Sequence, residues 1–209
     1  MGGGCCVPAC GIIDSAAAQK MHSEPDSASP SDLYALVIYI PEPLGGFLDD
    51  LRRELVPGCN PHAHVSLLPP RPLPVAPQVA IEEARGIVGG FPPFDIDLGG
   101  IEKFDVTDVL YLSVDGGTEQ LRQMHRSLNR GALAIREPFP YHPHVTLAQE
   151  FDVSQVDELW KLAASRWREF RGPRRFHAEA AVFVRNISGN LWTDLASGRL
   201  GVSPADLAD

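Results

Sequence analysis

Two hydrophobic periods take turns along the chain. Alternate apolar positions mark half-buried strands, and apolar residues every third or fourth position mark one face of a helix. Asp32 to Ile40, DLYALVIYI, is rich in β-branched and aromatic residues, stops at Pro41 and predicts a buried strand. Pro43 to Leu55 then sets Phe47, Leu48, Leu51 and Leu55 on one helical face, with Pro57-Gly58 just past the end. His62 to Leu68, HAHVSLL, predicts a short strand, and residues 77–90 predict a second helix ended by Gly89-Gly90. Residues 94–105 and 108–115 predict two strands joined as a hairpin.

The order then repeats. Residues 117–132 predict a helix with Leu121, Met124, His125 and Leu128 on one side, and Tyr141 to Gln149 predict a strand. Residues 153–170 predict a helix with Val156, Leu159, Trp160, Ala163 and Trp167 inward. Residues 176–186 and 189–196 predict a closing strand pair across Ser188-Gly189. Each half runs strand, helix, short strand, helix, then strand or hairpin. FLDDLRREL ahead of the first short strand resembles QLRQMHRSL ahead of the second. An internal duplication accounts for this, with too few copies for a solenoid. The expected fold is α+β and bilobal: two related lobes, each with a mainly antiparallel sheet and flanking helices, around a central cleft.

The two short strands carry the same word, HxHV[ST]L, as HAHVSL and HPHVTL. Their second His residues, His64 and His144, stand 80 positions apart, and the words hold four of the seven His in the chain. Alternation puts His62, His64 and Ser66 on one face and Ala63, Val65 and Leu67 on the other; in the second word His142, His144 and Thr146 oppose Pro143, Val145 and Leu147. The apolar faces go to a core, so the His and hydroxyl faces look at solvent or a cleft. Two lobes related by an approximate two-fold axis bring one imidazole to each side of a ligand.

That arrangement suits displacement at phosphorus, where nucleophile and leaving group lie on opposite sides. One imidazole takes a proton from the nucleophile and the other gives one to the leaving oxygen. Ser66 and Thr146 can donate to non-bridging phosphate oxygens without a metal. Duplication alone can copy a structural word, yet His is a poor choice where Val or Thr would serve. Two rivals stand beside this reading. One is a module that binds nucleotides or RNA ends without turnover; the other is a metal-dependent hydrolase using the His as ligands, although neither word is flanked by a carboxylate in the HxHxD manner.

Composition narrows the partners. The chain has 209 residues, 44% of them hydrophobic and 22% charged, with a net charge of −9. A buried core is expected at that length and composition. Coating duplex DNA is disfavoured, because that affinity comes from neutralising phosphates, whereas one short phosphorylated ligand remains compatible. No apolar run approaches the roughly 18 residues of a membrane span. Of four Cys, Cys5, Cys6 and Cys10 crowd the start and only Cys59 lies in the body, which fits a reducing, cytoplasmic setting. Residues 1–31, rich in Gly, Ala, Ser and Pro, are expected to be disordered, with Met21 a candidate start and residues 32–209 a single bilobal domain. The Cys trio is compatible with metal or lipid attachment, and Gly2 raises myristoylation without the usual Ser or Thr at position 6.

With the words His64-Val65-Ser66 and His144-Val145-Thr146 in hand, the chain resembles the 2H phosphoesterase superfamily, in particular its 2′-5′ RNA ligase-like branch, over residues 32 to 195. The resemblance implies metal-independent phosphodiester chemistry: opening of 2′,3′-cyclic phosphates, or making and breaking 2′-5′ linkages. It implies His64 and His144 as the acid/base pair and Ser66 and Thr146 as phosphate-binding hydroxyls, with Ser standing where Thr is more usual. It implies no cofactor, and as partner a nucleotide or RNA end carrying a phosphodiester. It leaves open which His is acid and which is base. His62 and His142 are expected near the rim as support or substrate contacts, Arg71 at a terminal phosphate, and Tyr141 against a base. His125 and His177 are expected to be structural, and a monomer is expected.

Overall fold

The computed structural model describes residues 32–189 and 191–202. The readings of the first 31 residues (disorder, the Met21 start, the Cys trio and Gly2) lie outside the described residues. The elements run β1 (Tyr34–Tyr39), α1 (Leu44–Leu55), β2 (His64–Arg71), α2 (Pro77–Gly89), β3 (Phe94–Lys103), β4 (Leu110–Gly116), α3 (Thr118–Leu128), β5 (His144–Ala148), α4 (Val156–Glu169), β6 (Arg175–Ala178), β7 (Ala180–Ser188) and β8 (Leu191–Arg199). Two four-stranded antiparallel sheets form, ordered β2-β1-β7-β8 and β5-β4-β3-β6. No described helix is long and apolar enough to cross a bilayer.

The duplication is visible in this order, with an exchange that the linear pattern does not reveal. β1 and β2 open the first sheet, as β4 and β5 open the second. The strand that closes the first half, β3, pairs with β4 in the second sheet, and β7 returns to pair with β1 in the first. Each sheet is therefore completed by the other half of the chain. The single closing strand expected over 176–186 is in fact two. β6 finishes one sheet, Glu179 breaks the run, and β7 begins the other sheet.

One continuous core joins both sheets and all four helices. Leu48, Leu51 and Leu55 of α1, Leu121, Met124 and Leu128 of α3, and Ala163 and Trp167 of α4 meet Val65 and Leu67 of β2 and Val145 and Leu147 of β5. Gly45 lets the start of α1 close on β1, since a Cβ there would collide with the Ile40 carbonyl. Trp160 departs from its expected inward position. It lies one residue off the Val156-Leu159-Ala163-Trp167 stripe and is 44% exposed.

A buried polar cluster fixes β2 against the segment that leads into β5. The Arg71 guanidinium is 1% exposed. It donates to the Pro69 carbonyl at 3.0 Å, the Asn129 side chain at 2.9 Å, the Leu133 carbonyl at 2.7 Å and Glu137 at 2.6 Å. The His125 ring spans the Leu67 carbonyl at 2.8 Å and the other Glu137 oxygen at 3.2 Å. It also stacks on Tyr141 at 3.9 Å, and the Tyr141 hydroxyl donates to the Ser66 carbonyl at 2.8 Å. His125 is thus structural, as expected.

Removing one partner of a buried ion pair strands the other, at about 3–5 kcal/mol. Arg71→Met should lower the unfolding free energy by about that amount, seen as a lower urea midpoint at unchanged m. Arg71→Met combined with Glu137→Leu should recover part of the loss.

Candidate active site

β2 and β5 lie against one another, one from each sheet, and each begins at the second His of its word. Alternation works as the sequence predicts. Val65, Leu67, Val145 and Leu147 are buried in the common core, which leaves His64, Ser66, His144 and Thr146 half-exposed on the opposite side. The neighbouring strands add a row to each face: Tyr39 opposite His64 and Val37 opposite Ser66, then Ser113 opposite His144 and Tyr111 opposite Thr146.

The first His of each word serves through its backbone. His64 Nδ1 lies 2.6 Å from the His62 carbonyl oxygen, and His144 Nδ1 lies 2.7 Å from that of His142. A carbonyl only accepts, so each Nδ1 carries the hydrogen and each Nε2 presents its lone pair outward. Both rings are therefore set in the same tautomer by the same local device. The side chains of His62 and His142 are exposed at the rim. The His62 ring stacks on Tyr39 at 3.6 Å, and Tyr39 donates its hydroxyl to Asp194 at 2.6 Å. The His142 and His144 rings meet the stacked pair Phe104–Tyr111 edge-on, with His144 5.0 Å from Phe104. Among the described residues the Ser66 and Thr146 hydroxyls make no side-chain hydrogen bond within the protein, which leaves both available to a ligand.

The surroundings push both imidazoles toward the neutral form. Burial lowers the His64 pKa to about 4, with smaller contributions from the positive charges of Arg52, His62 and His144. Burial likewise lowers that of His144, helped by His142. The effect of His144 on His64 reflects their nearness: the pair resists a second proton. Arg52, on α1, has a buried Nε with no hydrogen-bond partner among the described residues, and its carbonyl accepts the Cys59 thiol at 3.5 Å. One helical turn earlier, Asp49 accepts the Ala63 amide at 2.7 Å and so ties the first word to α1.

Two expected ligand contacts turn out otherwise. Arg71 is sealed in the hub described above and presents no nitrogen to a terminal phosphate. Tyr141 has one ring face on His125 and its hydroxyl on Ser66, so it braces the words rather than standing free in the cleft. The aromatic rings beside the paired His are instead Tyr39, Phe104 and Tyr111. Arg52, Asp49 and Tyr39 carry no local mark in the sequence; strand register and the α1 contact bring them in. Among the described residues, no three His, Cys, Asp or Glu side chains are grouped so as to hold a metal ion.

Comparison with known proteins shows the family and the fold. The family model described as the 2′-5′ RNA ligase superfamily matches residues 40–190. The chain belongs to that superfamily, the 2H phosphoesterases. A protein of Oceanobacillus iheyensis named "Putative phosphoesterase" is 29% identical over 80 residues, 38% of this chain. That match spans 46% of the length of the relative, about half. Escherichia coli LigT, crystallised with 3′-AMP, shares the fold at a TM-score of 0.56 and 18% identity, over 82% of this chain and 99% of that one. A Thermus thermophilus protein, TT0787, does so at 0.56 and 20%, over 81% and 98%. The α+β, two-sheet fold of this superfamily member is thus that of LigT.

Because the Arg52 charge disfavours protonation of His64, Arg52→Met should raise the His64 pKa. Nuclear magnetic resonance titration of the ring carbon protons checks this, and an unchanged or lower value would remove Arg52 from the electrostatics of the site.

Proposed function

We propose that this superfamily member is a metal-independent phosphoesterase that opens 2′,3′-cyclic phosphates of nucleotides, with His64 and His144 as its acid/base pair. The observation that carries the reading is the matched pair of Nδ1–carbonyl contacts, one in each lobe, which assigns both rings the same tautomer and leaves two Nε2 atoms without a hydrogen-bond partner among the described residues. In the reaction one Nε2 takes a proton from water as the water oxygen bonds to phosphorus. The bond from phosphorus to one ribose oxygen breaks, and the other imidazole, protonated, gives its proton to that oxygen. Ser66 and Thr146 donate to the non-bridging oxygens, where negative charge builds. With a 5′-hydroxyl in place of water, the same step makes a 2′-5′ linkage: the hydroxyl loses its proton to one imidazole and bonds to phosphorus, the bond to the 3′ oxygen breaks, and the other imidazole protonates that oxygen. The reverse breaks the linkage and restores the cyclic phosphate. LigT has been crystallised with 3′-AMP, ATP and NADP+, which supports a nucleotide as the ligand here. His62 and His142 act as support, through the carbonyls that hold the catalytic rings.

The test is turnover of a 2′,3′-cyclic nucleotide panel in excess EDTA, with His64→Ala and His144→Ala alongside. Product should form in EDTA, and each variant should lose on the order of 10²–10⁴-fold in kcat. Product that needs added Zn²⁺ or Mn²⁺, or variants that keep their rate, would refute the two-imidazole mechanism. Nucleotide binding without any product would instead favour a module that recognises its ligand without turnover.

A further inference from the structure

Taking the site as the phosphodiester centre proposed above, we infer that its substrate carries one phosphate on a small body without further negative charge, and that the cleft turns away the backbone of an RNA chain.

The argument starts from the face of the second sheet that bears His144. Leu110, Leu112 and Val114 of β4 enter the core, so Tyr111, Ser113 and Asp115 look the same way as His144 and Thr146. Phe94, Ile96 and Leu98 of β3 also enter the core, which sends Asp95 and Asp97 to the His144 side. Past the irregularity between Leu98 and Ile101, Glu102 pairs with Tyr111 and accepts its hydroxyl at 2.9 Å. Ser113, directly opposite His144, donates to Asp115 at 3.1 Å. Adjacent strands are about 4.8 Å apart, so carboxylates begin one strand from the catalytic ring and continue across the sheet.

Few cations answer them. Arg175 and His177 of β6 are on this face; Arg175 is held by Asp97 at 2.6 Å and His177 by Asp95 at 2.7 Å. Glu102 and Asp115 receive only the neutral hydroxyls of Tyr111 and Ser113 among the described residues. The facing sheet offers no compensation. Its His64 side is lined by Ala35, Val37 and Val184, with Tyr39, Val182 and Trp192 packed on them, and a charged group there, Asp194, is a further carboxylate that accepts the Tyr39 hydroxyl at 2.6 Å. Among the described residues, Arg52 is, apart from the other imidazoles, the cation whose charge acts on His64.

A phosphodiester between the two Nε2 atoms therefore has a mainly apolar, aromatic wall on one side, with Asp194 behind Tyr39, and a row of carboxylates on the other. A base or similar flat group fits the first wall, and sugar hydroxyls can donate to the second. A second backbone phosphate would meet the carboxylates at short range in a half-desolvated cleft, where like charges repel most strongly. The −9 net charge of the whole chain acts in the same direction at longer range.

The experiment compares kcat/KM for a 2′,3′-cyclic mononucleotide with that for the same cyclic phosphate at the 3′ end of a ten-residue RNA. At low ionic strength the mononucleotide should be favoured at least tenfold. The ratio should shrink in about 0.5 M salt, where screening is short-ranged, and should fall several-fold in Glu102→Gln/Asp115→Asn, which keeps both hydrogen-bond acceptors. Equal or better turnover of the RNA end, or a ratio indifferent to salt and to the double variant, would overturn the inference. Failure to turn over either substrate would instead refute the proposed reaction. In that case calorimetric titration with 3′-AMP and with a 3′-phosphorylated ten-residue RNA still decides the inference: tighter mononucleotide binding supports it, and tighter RNA binding overturns it.

Discussion

The Arg71–Glu137 contact holds the two His-words in one frame. Arg71 ends β2, the strand that begins with His64, and Glu137 lies on the segment that enters β5 at His144. Five guanidinium N–H groups in a fixed fork can bind several acceptors at set angles. Here they gather two carbonyls, an amide oxygen and a carboxylate from both halves of the chain. Burying such a pair adds little net stability, because desolvation offsets most of the attraction. Its effect is geometric: with no water to replace a partner, any relative shift of β2 and the β5 approach leaves a charge unpaired. Tyr141 and His125 extend the brace to the Ser66 and Leu67 carbonyls, within the first word itself.

On that frame, desolvation sets the chemistry. The apolar halves of the words are drawn into a common core, and this places the His rings where burial disfavours their charged forms. The Nδ1–carbonyl bonds work against that shift in part and keep each Nε2 aimed outward. In the proposed reaction, a phosphodiester anion that enters between the rings brings a negative charge to them, so protonation of one ring and binding of the ligand favour one another. A neutral pair that meets an anion is matched to a reaction that needs one acid and one base.

Much of this was legible in the chain because the signals were local. Period-two alternation gave the faces of β2 and β5, and the repeat of strand, helix and word gave two lobes. The spacing of two in HxH also contains the carbonyl that fixes each tautomer. The exchange of β3 and β7 between sheets was not legible, since pairing partners leave no mark on the alternation of either strand. The stretch 176–186 read as one strand because Glu179 is a single polar residue in an alternating run. Arg71 and Tyr141 misled for a related reason. A cation and an aromatic ring beside a phosphate-type word look like ligand contacts, and only partners such as Glu137, 66 residues away from Arg71, bury them. Arg52 stayed hidden among the polar residues of an amphipathic helix until α1 packed beside the first word.

The central claim is that two imidazoles share one working proton at a single phosphorus. The most direct measurement is the pH dependence of kcat/KM for a 2′,3′-cyclic nucleotide. Both free-enzyme pKa values are depressed, His64 to about 4. The base is lost as pH falls through the lower value of the coupled pair, and the acid is lost as pH rises through the higher. The account predicts a bell with its maximum on the acid side of 6.5, the ordinary His value. A rate that climbs without a maximum through pH 9 would contradict it.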